Sequence, residues 1–325
     1  MRIAAAQAHP LWGRPGPGAE RVTSWIGRAA DEGVDLLAFG ETHLGGYPFW
    51  LSITDAARWN DGGQKLAYAF YLDAAVELDG PEIRLVREAV ADHRVFTYLG
   101  LAERGSGTAR GSVFATLLAV DPVRGIVSAH RKVQPTYEER LAWAPGDGHG
   151  LRVHSVTGRG GDTMRVGGLN CWENWLPQAR LAMYAGGEDI HVSVWPGAVR
   201  NTIDITRFIA LEGRVFSLAA GTLLSRDDVP DSFPLAGQLP DGDWSDGGSA
   251  IAAPDGAWLR EPVAGVEGLV IAEVDAARVR EERQSFDPTG HYARADVFQL
   301  HVDRRRLAVA EFSDARSGGP EEDPA

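Results

Sequence analysis

A single cysteine, Cys171, is all that 325 residues contain, which excludes an internal disulfide and makes a reducing compartment the default. No stretch reaches the roughly 18 consecutive apolar residues of a membrane span. The opening run, residues 2–8, is too short for a signal peptide. Basic residues are in deficit, 32 Lys and Arg against 45 Asp and Glu, and the formal net charge of −13 argues against a nucleic-acid groove. These absences lead us to expect a soluble cytoplasmic protein with no nucleic-acid or membrane partner.

Other machinery is missing too. There is no CxxC, and none of the nine histidines is paired at zinc-protease spacing, so no metal is expected, and covalent attack by a thiol calls for no organic cofactor. His43, His130 and His291 read as structural or pocket-lining. A Gly-x-Ser-x-Gly elbow is lacking, which removes the serine-hydrolase reading. The glycine-rich residues 13–18 lack the Lys-Ser/Thr ending of a phosphate loop, and read as a flexible connection before the first helix.

What remains is an alternation of apolar runs and helical spacings. Strands are expected at residues 2–8, 34–39, 95–102, 112–120, 125–131, 164–169, 189–194, 215–220, 248–253, 269–274 and 297–302. Val22, Trp25, Ile26, Ala29 and Ala30 have helical spacing, Pro81 and Pro177 suit first helical turns, and Asn201 can cap a helix reaching Gly213. The Gly/Pro/Asp-rich residues 226–248 read as a long surface loop, a lid or an oligomer contact. The pattern predicts one α/β domain over residues 1–314, with two layers of sheet covered by helices and a disordered polar tail at 315–325.

Three reactive side chains stand where strands end. Glu41 follows residues 35–40, Lys132 follows 125–131, and Cys171 follows 164–169. Alone, each has a bland reading: a helix cap or ion pair, a solvated lysine, a small buried hydrophobe. Together, a base, an ammonium and a thiol are the parts needed for covalent attack on a carbon–nitrogen bond. The polar Trp172-Glu173-Asn174-Trp175 cannot continue a buried strand, so the chain must turn at the cysteine and expose it at the sheet rim.

The surrounding residues resemble the nitrilase superfamily. They are Phe39-Gly40-Glu41 with Gly45-Gly46-Tyr47-Pro48, then His130-Arg131-Lys132 with Pro135 to Arg140 and Gly146-Asp147-Gly148, then Gly168-Leu169-Asn170-Cys171-Trp172-Glu173-Asn174. Asp287 to Phe298 resembles the family's C-terminal motif, and Cys-Trp-Glu resembles the nitrilase branch. Gly40 departs from the pattern, which has proline there.

The resemblance implies an α-β-β-α sandwich that pairs into an α-β-β-α-α-β-β-α dimer or larger homo-oligomer. It also implies Glu41 as general base, Lys132 as cationic stabiliser, Cys171 as nucleophile and Glu139 as the glutamate that orients the lysine. The implied reaction is hydrolysis of a small-molecule nitrile by water to an acid and ammonia through a thioimidate and a thioester. An amide or cyanide substrate, or a non-catalytic assembly role, are the alternatives. Tyr47, Trp143, Trp172 and Trp195 adjoin the motif segments and are expected to line the substrate pocket.

Overall fold

The computed structural model describes residues 1–307, 309 and 310, so the expected tail at 315–325 lies outside the described residues. Among the described residues thirteen strands form two sheets. The first contains β1 (Arg2–Gln7), β2 (Leu36–Phe39), β3 (Phe96–Arg104), β4 (Val113–Asp121), β5 (Gly125–Arg131) and β13 (Gly268–Glu273), in the order β13-β1-β2-β3-β4-β5. The second contains β6 (His154–Thr157), β7 (Thr163–Asn170), β8 (Ile190–Trp195), β9 (Phe216–Gly221), β10 (Leu223–Ser225) and β11 (Asp243–Ala252), in the order β10-β11-β9-β8-β7-β6, with β12 (Trp258–Ala264) paired to β11.

Strand periodicity builds the layers. Successive side chains point to opposite faces, so Ile3, Ala5, Leu36 and Ala38 enter the core between the sheets and meet Val192, Val194, Leu218 and Ala220. Their neighbours Ala4, Ala6, Leu37 and Phe39 face outward onto α1 (Pro15–Asp31) and α4 (Pro81–His93), through Val22, Trp25, Ile26, Ile83, Val86 and Val90. On the far side, Leu169 and Trp195 meet α5 (Pro177–Ala185) and α7 (Ile205–Gly213) through Ala179, Met183, Ile205 and Ile209. The result is the expected α-β-β-α sandwich. Strands covered on both faces read as continuous apolar runs. Among the described residues no helix is long and apolar enough to cross a membrane.

Several expectations fail. Residues 297–302 form no strand and are largely exposed, because Val297 and Phe298 find no sheet edge to join. Asn201 caps nothing: it lies inside the short α6 (Val199–Thr202), and Asp204 stands at the N-cap of α7. Residues 13–18 are no free connection, since α1 begins at Pro15, with φ fixed for a first turn. Residues 226–242 do run irregularly along the surface, with 231, 232, 234 and 240–242 exposed, but the segment is anchored rather than free. Phe233, Leu235 and Leu239 are buried with Trp12, Trp50 and Tyr71, and residues 243–248 belong to β11. Also unanticipated are α2 (Trp50–Ile53), α3 (Gly62–Ala74) and α8 (Ala276–Arg283).

Candidate active site

Three strand ends converge at one rim of the sandwich. Glu41 follows β2, and its N–H donates to Trp195 O, at the end of β8, at 3.0 Å. The Glu41 turn is pressed against its neighbours: a Cβ on Gly40 would lie 2.1 Å from Thr222 Oγ1, and one on Gly100 would lie 2.0 Å from Gly40 O. Thr222 thus occupies the space a proline at position 40 would need. Lys132 follows β5, tied by its N–H to Ala115 O at 2.8 Å. Cys171 follows β7 and opens a 3-10 turn, Cys171–Trp175, with φ of 46°. Thr42 and Tyr137 beside the other two segments also have left-handed φ, 46° and 44°. Such conformations cost about 1–3 kcal/mol each and persist where surroundings over-determine them.

The side chains meet in the interior. Lys132 Nζ donates to Glu41 Oε1 at 2.9 Å and to Glu139 Oε2 at 2.7 Å. A carboxylate oxygen from each glutamate and Cys171 Sγ all lie within 4.8 Å of one another. None of the four residues is more than 2% exposed. The expectation of a cysteine exposed at the rim is therefore wrong: the strand ends there, but Cys171 is buried as the turn begins. Glu139 is held further by Tyr47 Oη–H at 2.8 Å and Thr136 N–H at 2.6 Å.

Burial dominates the electrostatics. It raises the Glu41 carboxyl to about 8, with Lys132 opposing the rise and Glu139 adding to it. The thiol of Cys171 is also pushed well up, first by burial and then by Glu41, while Lys132 and the Trp172 N–H at the sulfur oppose. Burial alone would lower the Lys132 ammonium, but Cys171, Glu41 and Glu139 outweigh it and hold the lysine charged. Two carboxyls around one ammonium leave one negative charge uncompensated, so the cluster retains a proton. Deprotonating Cys171 into Glu41 keeps the total charge constant, which makes the step feasible in a low-dielectric site. Glu41, Glu139 and Cys171 are also the one group with metal-ligand spacing among the described residues. Lys132 Nζ already supplies a cation to both carboxylates.

A cavity of about 530 Å³ opens onto Cys171. Tyr47 and Trp172 line it together with Phe49, Leu224 and Trp244. Trp143 and Trp195 do not. Trp143 is buried behind Lys132, its ring centre 5.3 Å from Nζ, and its Nε1–H donates to Tyr71 Oη at 2.9 Å. Trp195 is fully buried and touches the site through its carbonyl. Glu138 and Arg200 also line the cavity.

One residue missed in the sequence is Glu173. Its Oε2 receives the Asn170 N–H at 3.0 Å and faces His130 Nε2 at 2.8 Å, while Oε1 receives the Val133 N–H at 2.6 Å. The carboxylate therefore bolts the Cys171 turn to the Lys132 strand. Asn170 and Glu173, at capping-box spacing, were the available signal.

Comparison with known proteins adds four findings. The carbon–nitrogen hydrolase family model matches residues 2–284. Nitrilase blr3397 of Bradyrhizobium diazoefficiens is 36% identical over 301 residues, 92% of this chain and 91% of that protein. An arylacetonitrilase of Trametes versicolor is 34% identical, covering 83% and 86%. Among solved structures, XC1258 from Xanthomonas campestris, a CN-hydrolase superfamily protein with an arsenic adduct in its active site, aligns with a TM-score of 0.61 at 19% identity, covering 89% and 96%.

Proposed function

The chain belongs to the carbon–nitrogen hydrolase family, in its nitrilase branch, and from that premise we propose how its own residues convert an organic nitrile to a carboxylic acid and ammonia. Glu41 takes the Cys171 proton as the sulfur attacks the nitrile carbon. Charge develops on the nitrile nitrogen, where the Lys132 ammonium and the Trp172 N–H stabilise it. A donor of this kind typically contributes about 3–4 kcal/mol to the barrier. Glu41 returns the proton to nitrogen, giving a thioimidate. One water adds to that carbon, ammonia leaves, and a thioester remains. A second water releases the acid and restores the thiol, so two waters are consumed per nitrile. Loss of the thiol before ammonia yields an amide instead. Glu139 holds Lys132 in place. Trp172 and Tyr47 line the pocket that takes the nitrile's organic group.

The observation that carries this reading is Lys132 Nζ bridging Glu41 and Glu139 beside a single buried thiol. Its test is a panel of aliphatic, aryl and arylacetic nitriles with their amides, with ammonia, acid and amide quantified. Mass spectrometry of enzyme quenched during turnover should find the adduct on Cys171. Ammonia from amides alone, or an adduct elsewhere, would sink the reading.

The reading extends to assembly and location. The chain pairs with a second copy of itself through the outer helices of the second sheet, where Leu181, Phe208 and Leu211 are exposed and Trp175 stacks on Phe208 with ring centres 6.2 Å apart. A contiguous apolar surface of this kind favours a protein partner. Light scattering should find a dimer or larger species, and Phe208→Glu should shift it toward monomer. Its place is the cytoplasm, where the thiol stays reduced.

A further inference from the structure

The turn that carries the nucleophile is also held by a second buried polar chain. Asn174 Nδ2 donates to Cys171 O at 2.8 Å and to Leu169 O at 3.3 Å. Its Oδ1 lies 2.8 Å from His191 Nε2, and His191 Nδ1 lies 2.7 Å from Glu188 Oε1. The Asn174 carbonyl accepts from Arg180 Nη1 at 2.8 Å. Asn174, His191 and Glu188 are all fully buried. A Cβ on Gly167 would fall 2.3 Å from Glu188 Oε2, so the glycine leaves the room this carboxyl occupies.

The protons can be assigned by elimination. Carbonyl oxygens only accept, so the face of Asn174 toward Leu169 O and Cys171 O must be the NH₂. Its oxygen therefore faces His191, and Nε2 must carry a hydrogen. One further proton lies between Nδ1 and Glu188 Oε1, and the pair is neutral whichever atom holds it. Glu188 thus fixes the ring, the ring fixes the amide, and the amide grips the two carbonyls that bracket Asn170 at the strained corner. The φ of 46° at Cys171 is a conformation that most side chains avoid. It aims Sγ at Glu41, and without a brace the turn would relax toward ordinary 3-10 geometry.

We infer that Asn174 is a positioning residue for Cys171, held in its working orientation by a Glu188–His191 dyad that donates from Nε2. It touches neither substrate nor the reacting atoms. Its effect is on where the sulfur sits, and it rests on the nitrilase reading only for the choice of substrate. A misplacement of about 1 Å in a reacting group costs on the order of 100-fold in rate.

The test uses the full chain with Asn174→Ala, His191→Leu and His191→Gln. Asn174→Ala should lower kcat about 100-fold, keep KM within about threefold, and leave the pH midpoint of kcat/KM in place. Alkylation of Cys171 by iodoacetamide should slow about tenfold in the same variant. His191→Leu should behave alike. His191→Gln puts an amide N–H where Nε2–H was and should recover kcat to within about threefold of wild type. The inference is overturned if Asn174→Ala turns over like wild type or if His191→Gln is as poor as His191→Leu. It also falls if the pH midpoint moves, or if the loss of kcat only mirrors a loss of folded chain by circular dichroism. Should His191→Leu fail to fold, Asn174→Ala decides. The alkylation rate needs no nitrile, so a wild type inert to nitriles would end the nitrilase reading while this inference is still read from the thiol.

Discussion

Two buried glutamates flank the Cys171 turn, and the protein treats them oppositely. Glu41 receives one hydrogen bond, from Lys132, and its Oε2 has no partner among the described residues. Its carboxyl rises to about 8, driven by burial. Glu173 is as deeply buried, and burial alone would raise it too. The His130 ring and the N–H groups of Val133 and Asn170 outweigh that and hold it below the usual value. Burial is thus common to both, and the number of donors separates them. The carboxyl left short of partners can exchange a proton with the thiol. The satisfied one stays charged and serves as a fastener.

The comparison breaks most plainly at the proton carrier. Glu41→Gln should lower kcat about 10³-fold with the fold intact, because general-base contributions run to about 10²–10⁴. Steady-state assays and circular dichroism check both halves. Lys132→Ala should lose about 10²–10³ in kcat through the missing cation. It should also lose about 3–5 kcal/mol of stability, since two carboxylates remain buried without their partner; denaturant melts read that cost. Glu173→Gln should be milder in turnover, about tenfold, and should cost about 2–3 kcal/mol for a charge-assisted network downgraded to a neutral one.

The smallest effect is the most discriminating. As the proposed base, Glu41 works in its ionised form, so kcat/KM should rise with pH through a midpoint near 8 and lose that limb in Glu41→Gln. Stability should run the other way. A carboxyl raised from 4.5 to about 8 binds more protons folded than unfolded across that window. Its contribution is therefore full below 4.5 and is lost as pH climbs toward 8. Glu173 is lowered, so its contribution is present above 4.5 and is lost as pH falls below that. In melts against wild type, the Glu41→Gln gap should close as pH rises toward 8, and the Glu173→Gln gap should close only as pH falls below 4.5. Gaps that close in the same direction would dissolve the contrast.

The sheet skeleton was legible because strands buried on two faces leave little choice of residue: 2–8, 112–120 and 189–194 could hardly be anything else. That Glu41, Lys132 and Cys171 would converge was legible because each interrupts such a run with a reactive group at its end. The aromatics were not. Adjacency in sequence says nothing about which side of a strand end a ring takes, and Trp143 and Trp195 turn into the packed interior while Trp172 turns to the cavity. Residues 226–248 misled in part, because their glycines, prolines and aspartates spell a loop, while Phe233, Leu235 and Leu239, spaced too irregularly for helix or strand, anchor it. Glu173 and Asn174 meet partners some 40 and 17 positions away, which no local pattern announces.

The buried sulfur has a consequence for how the molecule ages. Burial holds the Cys171 thiol well above its usual pKa at the foot of a cavity, so little of it is thiolate at rest. Peroxides and electrophiles attack thiolates, so the idle enzyme presents them with almost nothing to damage. Its vulnerability is confined to moments of work, when an occupant already fills the passage.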